Sequence, residues 1–107
     1  MFRVVIMYPK TPDSHFNMDY YRDHHIPLVR EIFGGLSLRC IEIDKGLANA
    51  FPNQPFPYES ISYFHFENID DFQNVMMSPR GGQIVGDMQN YTNVQPLIQI
   101  NQVVVGQ

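Results

Sequence analysis

Among the four histidines, six tyrosines and one cysteine of this chain, His25 stands where chemistry is easiest to imagine. Met18, Tyr21, His25, Leu28 and Ile32 recur at spacings of three and four, which places them on one face of a helix. An imidazole on such an apolar stripe titrates near neutrality and serves as general base or acid toward a bound phenol, enol or lactone. The competing reading is a core histidine bonded to a backbone carbonyl or a sheet tyrosine. Tyr21 lies one turn earlier, where its hydroxyl either donates to a substrate carbonyl or anchors the core. His25 and Tyr21 are the expected catalytic residues.

Tyr8, Tyr63 and His65 belong to segments that read as strands, and they reach a pocket only if their face is the one turned to the helices. Alternation alone leaves that parity open. Tyr8 and His65 are assigned to substrate binding and Tyr63 to packing. Asp87 and Tyr91 sit one turn apart; they are either a cap and its turn or two further substrate-binding residues.

Other chemistries find little support. His24 points about 100° away from His25 around the helix, so the two do not share a metal ion. No Cys/His spacing of the zinc type occurs and the acidic residues do not cluster with histidine, so no metal site is expected. Cys40 has no base near it in sequence. Arg80-Gly81-Gly82 is explained by a turn as well as by an anion site. A nucleophilic triad, a phosphate loop and a dinucleotide fingerprint are all missing. Proton transfer on a substrate activated by its own conjugation is what remains, and it needs no cofactor.

The elements that must position these residues follow from pattern. Phe2 to Tyr8 is an apolar, β-branched run closed by Pro9, a strand. Asn17 caps the next helix, Phe16 packs on Tyr21 as a staple, and Gly34-Gly35 ends it. Pro27 inside that helix predicts a kink beside His24 and His25. A second strand spans 36–47, a proline-rich loop 46–57, and a third strand 58–67. Asn68 caps a helix ended by Ser78-Pro79, a short helix covers 82–90, and a last strand covers 94–105, which Pro96 demotes to an edge. The order βαββαβ predicts an α+β, ferredoxin-like fold with both helices on one face of a four-stranded antiparallel sheet. Strands 1 and 3 are apolar on both sides, so the bare face is expected to be covered by a second copy, giving a homodimer.

The string Phe16-Asn17-Met18-Asp19-Tyr20-Tyr21-Arg22-Asp23-His24-His25-Ile26-Pro27-Leu28 resembles the signature helix of the EthD family, named after ethyl tert-butyl ether degradation. Val5-Ile6-Met7-Tyr8-Pro9 and the tail elements Gly86-Asp87, Tyr91-Thr92, Pro96 and Gln99-Ile100 resemble it too, so the likeness spans nearly the whole chain. Membership would imply a dimeric α+β barrel: two ferredoxin-like subunits with sheets closed into a barrel and a small-molecule pocket in each. It would make His25 the family histidine. The related chemistries are those of dehydratases, decarboxylases, isomerases and cofactor-free monooxygenases acting on small aromatic or polyketide-like substrates. Two alternatives go with the resemblance: a non-catalytic binding or accessory protein of an oxygenase degradation pathway, and a haem-binding protein with His25 as axial ligand. The sequence holds no Trp, which departs from the haem-degrading branch.

Composition bounds the rest. At 107 residues the chain is expected to be a single domain, 1–107. Lys+Arg 7 against Asp+Glu 11 gives a net charge of -4, which argues against nucleic acid or an anionic membrane as partner. No apolar run approaches the ~18 residues of a membrane span. No signal peptide is recognised, and the single cysteine suits a reducing compartment, so a cytoplasmic location is expected. Charged residues are 17%, below the roughly 25% of ordinary soluble chains. The shortfall fits a sheet with two faces to cover.

Overall fold

The computed structural model describes residues 1–106; Gln107, the last residue of the expected domain, lies outside the described residues. Strand β1 (Phe2–Pro9) leads to α1 (Met18–Tyr20), a π-helical segment (Tyr21–His25) and α2 (Ile26–Ile32). β2 (Leu38–Lys45) and β3 (Tyr58–Phe66) follow. Then come α3 (Ile69–Met76), α4 (Pro79–Asp87), a 3-10 turn (Met88–Asn90) and β4 (Leu97–Gln102). The sheet is antiparallel throughout, in the order β2-β3-β1-β4, the α+β ferredoxin-like topology.

Asparagine caps start the helices where the sequence places them. The Asn17 side chain accepts from the Tyr20 N–H at 3.1 Å, and Asn68 accepts from the Asp70 N–H at 3.0 Å. Gly35, at φ 81°, takes the left-handed turn after α2. The core lies between one sheet face and the helices. Val4, Ile6 and Tyr8 of β1 and Phe64 and Phe66 of β3 meet Tyr21, Val29, Phe33, Phe72 and Ile84. Each large side chain buried there contributes about 1.5–3 kcal/mol.

Three expectations need correction. The helix expected over 82–90 begins earlier, at Pro79, because Ser78-Pro79 is a start as well as a stop: proline at the first helical turn loses no hydrogen bond. Strand β4 begins at Leu97, just after Pro96, and lies at the sheet edge beside β1. The face turned away from the helices is mixed rather than apolar. Val5, Met7, Ile61, Tyr63 and Leu97 share it with Arg3, Cys40, Glu42, Asp44, His65, Gln99 and Asn101.

Candidate active site at the His25 cavity

Pro27 has no N–H to give the preceding turn, and its ring crowds the carbonyl four residues back. The chain answers with a wider turn at the expected place, beside His24 and His25. The Ile26 N–H donates to the Tyr21 carbonyl, a π-helical step, and Pro27 opens α2 with its ring exposed. The widened turn holds Tyr21 and His25 pointing inward; beyond it the inward stripe continues through Val29, Ile32 and Phe33, while Leu28 is only half-buried.

His25 is 2% exposed, and both its ring nitrogens have partners. Nδ1 lies 2.9 Å from Asp87 Oδ2, at the C-terminal end of α4. The other oxygen of Asp87 accepts from the Tyr20 hydroxyl at 2.7 Å and from Asn90 Nδ2 at 2.9 Å. Burial pushes the Asp87 pKa up, but the hydrogen bonds from Asn90, Tyr20 and His25 outweigh it and hold the carboxyl below its ordinary range. An ionised Asp87 fixes the proton of His25 on Nδ1 and leaves the lone pair on Nε2. Burial also lowers the His25 pKa below its ordinary 6.5, and the attraction of Asp87 does not reverse the shift. The imidazole is neutral at pH 7.

Nε2 faces the Tyr91 hydroxyl across a long 3.4 Å, and Tyr91 in turn lies 2.7 Å from the hydroxyl of Tyr8 on β1. Burial drives both phenols far above their ordinary pKa, so both keep their protons. With the lone pair on Nε2, the donors run in one direction: Tyr8 to Tyr91, Tyr91 to His25, His25 to Asp87. The stretched step in this chain is the one at Nε2. A ligand oxygen arriving there would make a shorter bond than Tyr91 does.

His25 also stands in the wall of an apolar cavity of about 20 Å³ lined by Ile6, Tyr8, His25, Phe33, Phe64, Phe72, Met76, Ile84, Met88 and Ile98. It has room for a water-sized guest, and Tyr8 and His25 are the polar residues of its wall. Ile98 on edge strand β4, 44% exposed, is the one exposed residue of that wall. Met76 and Met88 are unbranched and adaptable, so a larger guest displaces them at low cost.

The structure thus brings Tyr8, His25, Asp87 and Tyr91 into one hydrogen-bonded chain. Asp87 has both oxygens occupied by protein donors, one of them on His25, and it does not line the cavity. Tyr21 stacks on the imidazole (centroids 5.3 Å apart, planes 16°), and its hydroxyl turns to Ser62 Oγ at 2.7 Å. It supports His25 from outside the cavity wall. His65 does not join them: β3 turns Ser62, Phe64 and Phe66 to the helices, so strand alternation sends His65 and Tyr63 to the opposite face. There His65 Nε2 meets Glu42 Oε1 at 2.6 Å. Tyr20, Asn90 and Ser62 went unsuspected in the sequence. Tyr20 and Asn90 reach Asp87 across the fold, and no spacing signals such a meeting. The loop 46–57 contributes nothing to the cavity wall.

A haem does not fit here. The cavity is too small for a porphyrin, and both nitrogens of His25 face protein partners.

A family model described as the EthD domain matches residues 11–95. Among solved structures, an EthD-like protein from Ralstonia eutropha is 32% identical, with 99% of this chain and 94% of that one covered and a TM-score of 0.90. An ethyl tert-butyl ether degradation family protein from Bacillus halodurans is 15% identical over 95% of this chain and 97% of that one, at a TM-score of 0.65. A dimeric ferredoxin-like protein from Thermobifida fusca is 11% identical over 94% and 88%, at 0.57. No curated protein matches the chain.

Proposed function

The chain belongs to the EthD family, and on that premise we propose that it is a cofactor-free enzyme in which His25 moves a proton on a small aromatic or polyketide-like molecule. The observation that carries this reading is the long Tyr91 contact at Nε2: a neutral base, oriented by Asp87, stands in the wall of an apolar cavity with its lone pair poorly satisfied. The ligand oxygen would take the place of Tyr91 at Nε2 or accept from Tyr8. Proton removal then yields an imidazolium that Asp87 stabilises, and the apolar wall favours conjugated substrates whose anions delocalise. Dehydration, isomerisation and oxygenation of an enolisable or phenolic substrate begin with this step, whereas in decarboxylation the imidazolium would deliver its proton to the carbanion that CO2 leaves behind.

The working unit is a homodimer. Val5, Met7, Ile61, Tyr63 and Leu97 form an apolar strip on the uncovered face, and the Thermobifida fusca neighbour is a dimeric protein of this fold. Joined this way, two sheets form the α+β barrel. Cys40 as a free thiol suits the cytoplasm.

A second reading, a non-catalytic carrier for an oxygenase pathway, draws on the cavity itself, whose wall is apolar but for Tyr8 and His25. Deuterium exchange separates the two. Phenols, enolisable aryl ketones and aromatic lactones are incubated with the protein in D2O, and carbon-bound deuterium is read by NMR. Accelerated exchange that His25→Gln abolishes while ligand binding persists is the expected outcome. Tight binding with no exchange above background by the native chain would make it a carrier.

A further inference from the structure

On the face away from the cavity, three side chains of metal-ligating type meet across two strands. The Cys40 thiol, a Glu42 carboxylate oxygen and a His65 ring nitrogen lie within 4.8 Å of one another. Their meeting is built into the sheet. Cys40 and Glu42 are two residues apart on β2 and share a face; His65 on β3 is the register partner of Cys40 and the diagonal neighbour of Glu42. A bulge between Leu38 and Cys40 creates the register. Leu38 pairs with Phe66 on the helix side, and without the extra residue Cys40 would follow it inward by alternation. The bulge flips the phase and aims the thiol at His65. His65 itself is well sheltered, its side chain 13% exposed, while the Glu42 side chain is 65% exposed and free to swing.

We propose that Cys40, Glu42 and His65 form a zinc-type metal site, distinct from the His25 cavity and independent of the function proposed for it. Thiolate, imidazole and carboxylate are the donors that Zn2+ takes, and three of them leave the fourth tetrahedral position to water. The 2.6 Å contact between His65 Nε2 and Glu42 Oε1 brings two of the donors together, and a small opening of that pair admits the ion. On binding, the thiol gives up its proton to solvent and a ring nitrogen of His65 offers its lone pair to the ion. Asp44 and Glu42 on β2 balance the positive charge of Arg3, the register partner of His65 on β1. Sequence spacing gives no warning of the site, because its donors come from two strands across a bulge. The face is also the one a second copy would cover, which places the ion at the β2 side of that interface.

Titration of the reduced full chain with Co2+ reads the thiolate directly, through a near-ultraviolet charge-transfer band and the visible bands of a tetrahedral ion; Zn2+ then displaces the cobalt. Saturation at one equivalent per chain is expected. Cys40→Ser should remove the charge-transfer band, and His65→Gln and Glu42→Gln should each weaken binding at least tenfold, with His24→Gln unchanged. Far-ultraviolet circular dichroism and light scattering verify that each variant keeps the fold and the assembly of the native chain. Failure to saturate at one equivalent overturns the site. So does a band lost in Cys40→Ser but indifferent to both Glu42→Gln and His65→Gln, which is a lone thiol.

Discussion

Asp87 holds His25 through a 2.9 Å contact between Oδ2 and Nδ1, and it does so from a position where its other oxygen is already saturated by Tyr20 and Asn90. The carboxylate is therefore fixed before it fixes the imidazole. Two elements far apart in sequence, the π-helical turn and the end of α4, are locked together at this point. The consequences below follow from that lock and from the hydroxyl pair on its far side.

The hydroxyls of Tyr8 and Tyr91 satisfy one another at 2.7 Å, and both residues are buried. Tyr91→Phe removes both the 2.7 Å partner of the buried Tyr8 hydroxyl and the donor facing His25 Nε2, at a cost of about 1–3 kcal/mol. Tyr8→Phe should cost less, because Tyr91 still faces His25 Nε2. The double variant should be less destabilised than the sum of the two, as residues in direct contact couple. Urea denaturation of the four proteins measures the cycle.

Acid should destabilise the chain in two windows. His25 has a folded pKa below the 6.5 of the unfolded chain, so the unfolded state takes up its proton first and stability falls as pH drops below about 6.5, until His25 protonates in the folded state. Asp87, lowered from 3.8, contributes stability that is complete above that value and is lost as pH falls through its folded pKa. Denaturation midpoints followed from pH 8 to pH 3 should show both declines, and His25→Gln should remove the first.

Ile98 guards the cavity from an exposed position on β4, so Ile98→Phe should alter stability by only about 0.5 kcal/mol while blocking entry. Binding of a fluorescent naphthol should weaken at least tenfold. Unchanged binding would place the ligand elsewhere.

Light scattering should give twice the chain mass. Met7→Glu on the uncovered face should shift it toward one, because an unpaired carboxylate would be buried against the partner's apolar strip.

Much of this architecture was legible in the sequence because it rests on local rules. Strand order follows from apolar runs, helix starts from Asn17 and Asn68, and the edge position of β4 from Pro96. His25 was legible from its stripe, and Pro27 marked the disturbed turn, although its π-helical form depends on packing that spacing does not encode. What stayed hidden is relational. Tyr8 and His65 look alike as polar-tipped strand residues, yet pairing puts Tyr8 against the helices and His65 on the other side. Asp87 reads as a cap until α4 is seen to end beside His25. Cys40 reads as an inert strand residue until the bulge turns it to His65.

The claim on which the site rests is that His25 is neutral, protonated on Nδ1, with its lone pair on Nε2. A long-range 1H–15N spectrum of the histidine rings, recorded across pH, tests it without any knowledge of the substrate. The account expects the Nδ1–H form of His25 at pH 7, titrating below the ordinary 6.5, and a mixed or reversed tautomer in Asp87→Asn. A native His25 that is cationic at pH 7, or that carries its proton on Nε2, would contradict it.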